Sequence, residues 1–208
     1  GLGDVYKRQI YNHLAAVESN QLANGHSFSI DSHFVSAKIL IPKYNDSGQR
    51  IVRASRKNEY WRSEYYSRLS NIVVHTPESD KLEETPSEKK RRKESFFIDA
   101  QEAFNENRPL AIAPEGTSET PDNVTNKSPG PFKPGAFLLA NSLDPRPMII
   151  PIALANFDFP ISKTVYSAVI KEGFYIDDFV DVNDSIALSG FLNEYRKKFR
   201  GYVEEAIE

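Results

Sequence analysis

Between residues 95 and 155 the chain passes twice from a helix-period segment to a short apolar run, and this alternation limits the possible folds more than any other feature. Ser95 to Asn107 carries Phe96, Phe97, Ala100, Ala103 and Phe104 at spacings that share one helical face, and Leu110-Ala111-Ile112-Ala113 follows as a compact apolar run. Ala136 to Asn141 is again helix-like, and Met148 to Ala155 is again apolar. Helices and buried strands in strict turn are the pattern of a layered α/β domain.

The rest of the chain keeps the same rhythm. Ile51 to Ala54, Ile72 to Val74 and Val165 to Ile170 read as strands. Glu59 to Leu69 reads as a helix bearing Tyr60, Trp61, Tyr65 and Tyr66, and Ser189 to Ile207 as an amphipathic helix with Phe191, Leu192, Tyr195, Phe199 and Val203 on its apolar side. A polar, proline-flanked stretch from Thr76 to Pro86 is the clearest internal loop, and Ser87 is placed to cap the helix after it. Pro151 interrupts the apolar run Met148 to Leu154, which predicts an edge strand or a bulge there. With 208 residues the chain is expected to form a single domain over residues 10–208. Residues 1–9, Gly1 to Gln9, begin without methionine and are set aside as a non-native leader, with the natural N-terminus expected to be missing.

Composition narrows the chemistry. A formal charge of -3 and a pI near 5.9 do not describe a general nucleic-acid binder, so any anion contact must be local. With no cysteine, disulfides, thiolate metal sites and a cysteine nucleophile are excluded. No run reaches the 18 or so apolar residues of a membrane span. Neither a Gly-x-Ser-x-Gly elbow nor a Walker-type phosphate loop occurs.

Four places can carry chemistry. His13 and Glu18 stand five residues apart, about 140° around a continuous helix, so contact between them predicts a turn at His13 leading into a helix at Glu18. In that geometry the carboxylate orients the imidazole and stabilises its charged form while the other ring nitrogen takes a proton. Pro114-Glu115-Gly116-Thr117 closes the Leu110–Ala113 run at a strand's carboxyl end, where α/β sheets bind ligands. There Glu115 is suited to a substrate hydroxyl or a cation, and Gly116 to close backbone approach. Lys133, in Phe132-Lys133-Pro134-Gly135, precedes a helix whose first amides would join its ammonium in holding an anion. Lys89-Lys90-Arg91-Arg92-Lys93 opens a predicted helix, where positive charge opposes the macrodipole. A solvated face balanced by Glu83, Glu84, Glu88 and Glu94 is one account of it, and attraction to anionic headgroups or an acidic carrier is the other. His26, His33 and His75 have no partner at metal-ligand spacing.

Taken in order, Asn12-His13-x4-Glu18, Pro-Glu-Gly-Thr, Phe-Lys-Pro-Gly-Ala-Phe and Ile-Pro-Ile resemble the glycerolipid acyltransferase family, across residues 12 to about 155. The resemblance implies a mixed, largely parallel central sheet flanked by helices. It also implies transfer of a fatty acyl group from acyl-CoA or acyl-carrier protein to a lysophospholipid-like or other lipid acceptor. By the same resemblance His13 deprotonates the acceptor, Glu18 stands where the family usually has aspartate, and Glu115, Gly116, Thr117, Lys133 and Pro151 bind substrate. It implies no metal or bound cofactor, no nucleic-acid partner, and a cytoplasmic location with peripheral contact at the membrane face. Two departures bear on the acceptor. Ser118-Glu119 follows Glu-Gly-Thr where the family commonly has arginine, and His75-Thr76 follows the Ile72–Val74 strand where a second basic residue is expected. The Ser118–Pro131 loop is longer than the family's. These departures point away from a standard glycerophosphate acceptor and leave a non-catalytic, lipid-binding member of the same fold as the alternative reading.

Overall fold

The computed structural model describes residues 7–14, 29–54, 64–66, 68–69, 71–74, 85–117 and 122–208. Six strands are present: β1 (Lys7–Tyr11), β2 (Gln49–Arg53), β3 (Ile72–Val74), β4 (Leu110–Ile112), β5 (Met148–Ala155) and β6 (Ser167–Ile170). They form one sheet in the order β3-β2-β4-β1-β5-β6. The first five strands of that order run parallel to their neighbours, and β6 closes one edge antiparallel to β5. The α/β class with a mixed, largely parallel sheet between helices is therefore observed.

The strands read as apolar runs because both faces of the sheet are covered. Successive side chains point to opposite faces, so Ile10 packs beneath the helices of one layer and Tyr11 beneath that of the other. One layer is a continuous helical rod made of α1 (Ile30–Phe34), a π-helical stretch Val35–Leu40 and α2 (Ile41–Tyr44), stopped by Asn45 in the left-handed region. It buries Val35 and Leu40 against Tyr11, Ala111, Ile152 and Leu154. The opposite layer holds α3 (Pro86–Asn105), α4 (Gly135–Ser142) and α5 (Ser185–Ile207). Phe104 and Leu139 pack with Leu110 there, while Phe137, Tyr195, Phe199 and Val203 pack with Ile10, Ile149 and Ala153.

Several local expectations change. α3 is capped by Thr85, not Ser87: Thr85 accepts from the Glu88 amide and Glu88 returns a bond to the Thr85 N–H, with Pro86 in the first turn. α5 begins at Ser185, four residues earlier than the expected Ser189, because Asp184 accepts from the Ile186 and Ala187 amides. Pro151 lies in neither an edge strand nor a bulge. It pairs in unbroken register with Ile10 in β1, and its carbonyl accepts from the Lys171 N–H at 3.0 Å on the other side. The proline therefore costs the sheet only the reciprocal bond of that last rung. Lys7 to Gln9, set aside with the leader, lie in the central strand β1, where Gln9 is buried. Of the expected Glu59–Leu69 helix, 64–66 and 68 are helical and the remainder lies almost wholly outside the described residues, as does most of the Thr76–Pro86 loop. Among the described residues, no helix is long and apolar enough to cross a membrane.

Candidate functional site

The parallel strands β1, β4 and β5 end on the same edge of the sheet, and the residues leaving β1 and β4 there meet side chain to side chain. As the backbone leaves the ladder after Tyr11, the wholly buried Asn12 continues the pairing with its side chain. Its Nδ2 donates to the Leu154 carbonyl at 2.9 Å and its Oδ1 accepts from the Leu154 N–H at 2.6 Å. Nδ2 also donates to Ser128 Oγ at 2.7 Å. These three bonds fix the backbone from which His13 projects.

The imidazole of His13 meets a carboxylate that the sequence reading did not single out. Nδ1 lies 2.5 Å from Oδ2 of Asp31, which stands in the first turn of α1 and is 1% exposed. The same oxygen accepts from the Leu14 N–H at 2.9 Å, and Oδ1 accepts from the Ser32 N–H at 2.6 Å. A carboxylate held by a backbone donor on each oxygen is fixed in orientation, so it orients the ring. Asp31 stands 18 residues from His13 in the sequence. Glu18 lies outside the described residues.

Glu115 enters the site from β4 and turns inward. Oε2 accepts from the His13 N–H at 3.0 Å and from Asn123 Nδ2 at 2.7 Å, and Asn123 donates as well to the His13 carbonyl at 2.6 Å. Both main-chain polar groups of His13 are thus held by side chains from the Glu115 and Asn123 loops. Glu115 is 3% exposed and its Oε1 has no hydrogen-bond partner. Burial is the main reason its acidity is displaced, with its pKa pushed up to about 8, and the Asp31 charge adds to the rise. The His13 amide, the His13 charge and the Gly130 amide act against it. Burial therefore favours the neutral acid form of Glu115 near pH 7.

Gly116 has φ +73°, and a Cβ added there would stand 3.2 Å from both Cδ and Nζ of Lys133. The lysine lies across the glycine and its own N–H donates to the Pro114 carbonyl at 2.8 Å. The backbone conformation favours glycine, and a Cβ there would also crowd the Lys133 side chain. The exposed Lys133 side chain lies beside the turn, two residues ahead of α4. Thr117 follows, half-buried. Pro151 is set back from this group by its pairing with Ile10, and it lines a separate cavity of about 690 Å³ with Lys171, Phe174 and Tyr195.

Of the residues expected to act together, His13, Glu115, Gly116 and Lys133 share one strand-end site, whereas Pro151 belongs to the strand behind it. Asp31 and Asn123 join the group. Two further residues border it. Arg50 of β2, buried on the face that carries Tyr11, donates to Ser32 Oγ at 2.9 Å. His33, held at Nδ1 by the Ser29 carbonyl at 2.7 Å, bonds through Nε2 to the Tyr65 hydroxyl, and burial lowers its pKa. The long loop is tied down from behind: Arg200 donates to the carbonyls of Thr125 and Ser128 at 2.8 and 2.6 Å, and Arg196 to that of Pro129 at 2.8 Å. Among the described residues, no group of three or more His, Asp or Glu is arranged to hold a metal ion.

Comparison with known proteins finds no matching family model and no matching curated protein.

Proposed function

We propose that the chain is an O-acyltransferase of the glycerolipid acyltransferase type, moving an acyl group from a thioester to the hydroxyl of a lipid-like acceptor. The observation that carries this reading is the His13–Asp31 pair at 2.5 Å, presented at the carboxyl ends of parallel strands beside the Glu115-Gly116 turn. With Nδ1 committed to Asp31, proton transfer falls to Nε2. That nitrogen takes the acceptor's hydroxyl proton as the oxygen attacks the thioester carbonyl. The C–S bond then breaks, and the leaving thiolate recovers the proton from the imidazolium. Asp31 holds the ring and stabilises its transient charge; the nucleophile comes from the substrate.

In this scheme Glu115 is a positioning residue. Kept neutral, it and Asn123 fix the His13 main chain without adding a second negative charge beside Asp31. Lys133 at the glycine turn serves the polar part of the acceptor or the donor's anionic portion. The donor is acyl-CoA or acyl-carrier protein, and the site of action is the cytoplasmic membrane face.

The test is purified protein with labelled acyl-CoA and a panel of lysolipids and other lipid alcohols, with His13→Ala in parallel. Transfer by the wild type and a loss of roughly 10^4-fold in kcat/KM in the variant are expected. Wild-type turnover by a folded His13→Ala protein would end the proposal. Tight lipid binding with no transfer from any thioester would instead establish the non-catalytic alternative.

A further inference from the structure

We infer that the cavity between the flank of α5 and the loop after β6 is a binding site for a planar aromatic ligand carrying a hydrogen-bond acceptor, separate from the His13 site. β6 runs antiparallel to β5, so the chain leaving Ile170 returns to the start of β5, where Phe174 and Ile149 exchange backbone bonds at 2.8 and 3.0 Å. His13 stands at the other end of the parallel strands. The cavity measures about 690 Å³, a size that holds a small organic molecule. Pro151, on the same sheet face as Ile149 and Ala153, lines it from the sheet.

Its walls are aromatic. Phe191, Tyr195 and Tyr202 follow one another along α5 at spacings that share one side of a helix, and Phe174 and Phe179 face them from the loop. Phe174 meets Phe179 edge-on at 5.4 Å and 86°, and Phe179 lies 6.2 Å from Phe191 at 41°. Rings set at such different angles offer both faces and edges, the two surfaces on which an aromatic guest packs. Phe179 is 60% exposed, so a guest ring that covers it removes apolar surface from water.

The polar groups narrow the guest. Tyr195 is 7% exposed, and its hydroxyl has no hydrogen-bond partner among the described residues. Burial first, and then the neighbouring Tyr202 phenol, raise its pKa, so the group stays protonated and able to donate. The influence of Tyr202 also sets the hydroxyl toward a second residue of the cavity wall. A buried O–H without an acceptor is costly, and an acceptor on the guest relieves that cost. The charges select no charged guest. Lys171 is committed to Glu205 at 2.5 Å and to the Tyr202 ring at 5.0 Å, and Glu194 to Lys197 at 2.7 Å. Glu172, Asp178 and Lys198 are exposed charges of both signs. A neutral heteroaromatic molecule satisfies the rings and the hydroxyl together, whereas a fatty acyl chain would cover the rings and leave the hydroxyl unpaired.

The site does not depend on acyl transfer, and its test separates the two. The probes are quinoline and naphthalene, which share a shape and differ by one ring nitrogen, titrated calorimetrically into the purified full chain at neutral pH. Saturable binding of quinoline is expected, roughly tenfold tighter than that of naphthalene. Tyr195→Phe keeps the ring and removes the donor, so it should bind the two probes within about twofold of each other. Phe179→Ala, at an exposed position, should weaken both. His13→Ala should bind quinoline as wild type does. Absence of saturable quinoline binding overturns the inference, as does equal affinity for the two probes in wild type or an undiminished preference for quinoline in folded Tyr195→Phe. A dimer of the free chain that Phe179→Ala dissociates would assign the aromatic wall to a second copy and overturn it as well.

Discussion

The layer beneath α5 and the strand-end site are held together by opposite means. Under α5 the contacts are aromatic: Phe132 meets Phe199 edge-on at 5.5 Å and 85°, Phe137 meets Tyr195 at 6.2 Å and 84°, and Phe191 stacks on Tyr195 at 5.4 Å and 8°. Phe137 and Phe199 are wholly buried. At the strand ends the buried groups are Asn12, Asp31, Glu115 and Asn123, each joined to a partner distant in sequence. The aromatic layer is stabilised by area and shape, and any set of side chains with similar volume serves it. The polar group permits few substitutions, because a lost partner leaves a donor or acceptor buried and unpaired. One region carries stability and the other carries geometry, in some places at the expense of stability.

The largest effect expected on the first side of that comparison follows Phe137→Ala. Removing a wholly buried ring leaves a cavity and breaks contacts with Phe132, Phe191 and Tyr195, for a loss of about 4 kcal/mol in chemical denaturation. At a temperature where the variant stays folded, its turnover per folded molecule should remain within a fewfold of wild type. A collapse of kcat in the folded variant would erase the division of labour.

On the other side, Asp31→Asn keeps the shape and removes the charge. A fall of roughly 10^2- to 10^3-fold in kcat is expected, with KM little changed, because the ring loses its orienting acceptor and the stabilisation of its charged form. Without the neighbouring anion the imidazole is easier to deprotonate, so the acid limb of the pH–rate profile should move to lower pH. A merely structural Asp31 would lower the amount of folded protein and leave that limb in place.

The sheet was more legible in the sequence than the site. Ile51 to Ala54, Ile72 to Val74 and Met148 to Ala155 advertise themselves as apolar runs because strands covered on both faces need no polar alternation. Asp31 was not legible, since it lies 18 residues from His13 and their contact is made by the chain's return to the strand end. Adjacency in sequence selects Glu18 instead. One available signal was an acidic residue ahead of Val35 and Leu40, but the helix that carries them is hard to see. Its π-helical stretch, Val35–Leu40, departs from the 3.6-residue period on which helix reading rests. Arg50 escaped for a similar reason: a charged residue argues against a strand, yet here it is buried facing α1.

Glu115→Gln tests whether the polar site is maintained against stability. Because burial raises the folded-state value from 4.5 to about 8, the stability this group contributes is fully present below about pH 4.5 and is lost as the pH rises through 8. Glutamine is close in shape, can accept both N–H bonds and does not ionise. The stability of the variant relative to wild type should therefore grow as the pH rises from 4.5 to 8, as measured by chemical denaturation across that range. Near pH 7, where burial favours the neutral acid, turnover should change by less than about tenfold. Parallel stability curves at every pH would show that Glu115 is ionised in the folded state, and that the site holds two buried negative charges.

Arg200→Ala carries the smallest expected effect on stability and cuts across the comparison, because it belongs to the aromatic helix by position and to the site by its bonds. Its guanidinium is partly exposed, so losing the bonds to the Thr125 and Ser128 carbonyls should cost about 1 kcal/mol. That segment, however, carries Asn123, which holds the His13 carbonyl and Glu115, and Ser128, which holds Asn12. A small shift there reaches the imidazole through two side chains. Turnover should accordingly fall by roughly tenfold, more than so slight a loss of stability would produce in the aromatic layer. If Arg200→Ala instead lowered stability by 1 kcal/mol and left kcat/KM at the wild-type value, the loop would be a cover and not a support. The geometry at His13 would then rest on Asn12 and Asp31.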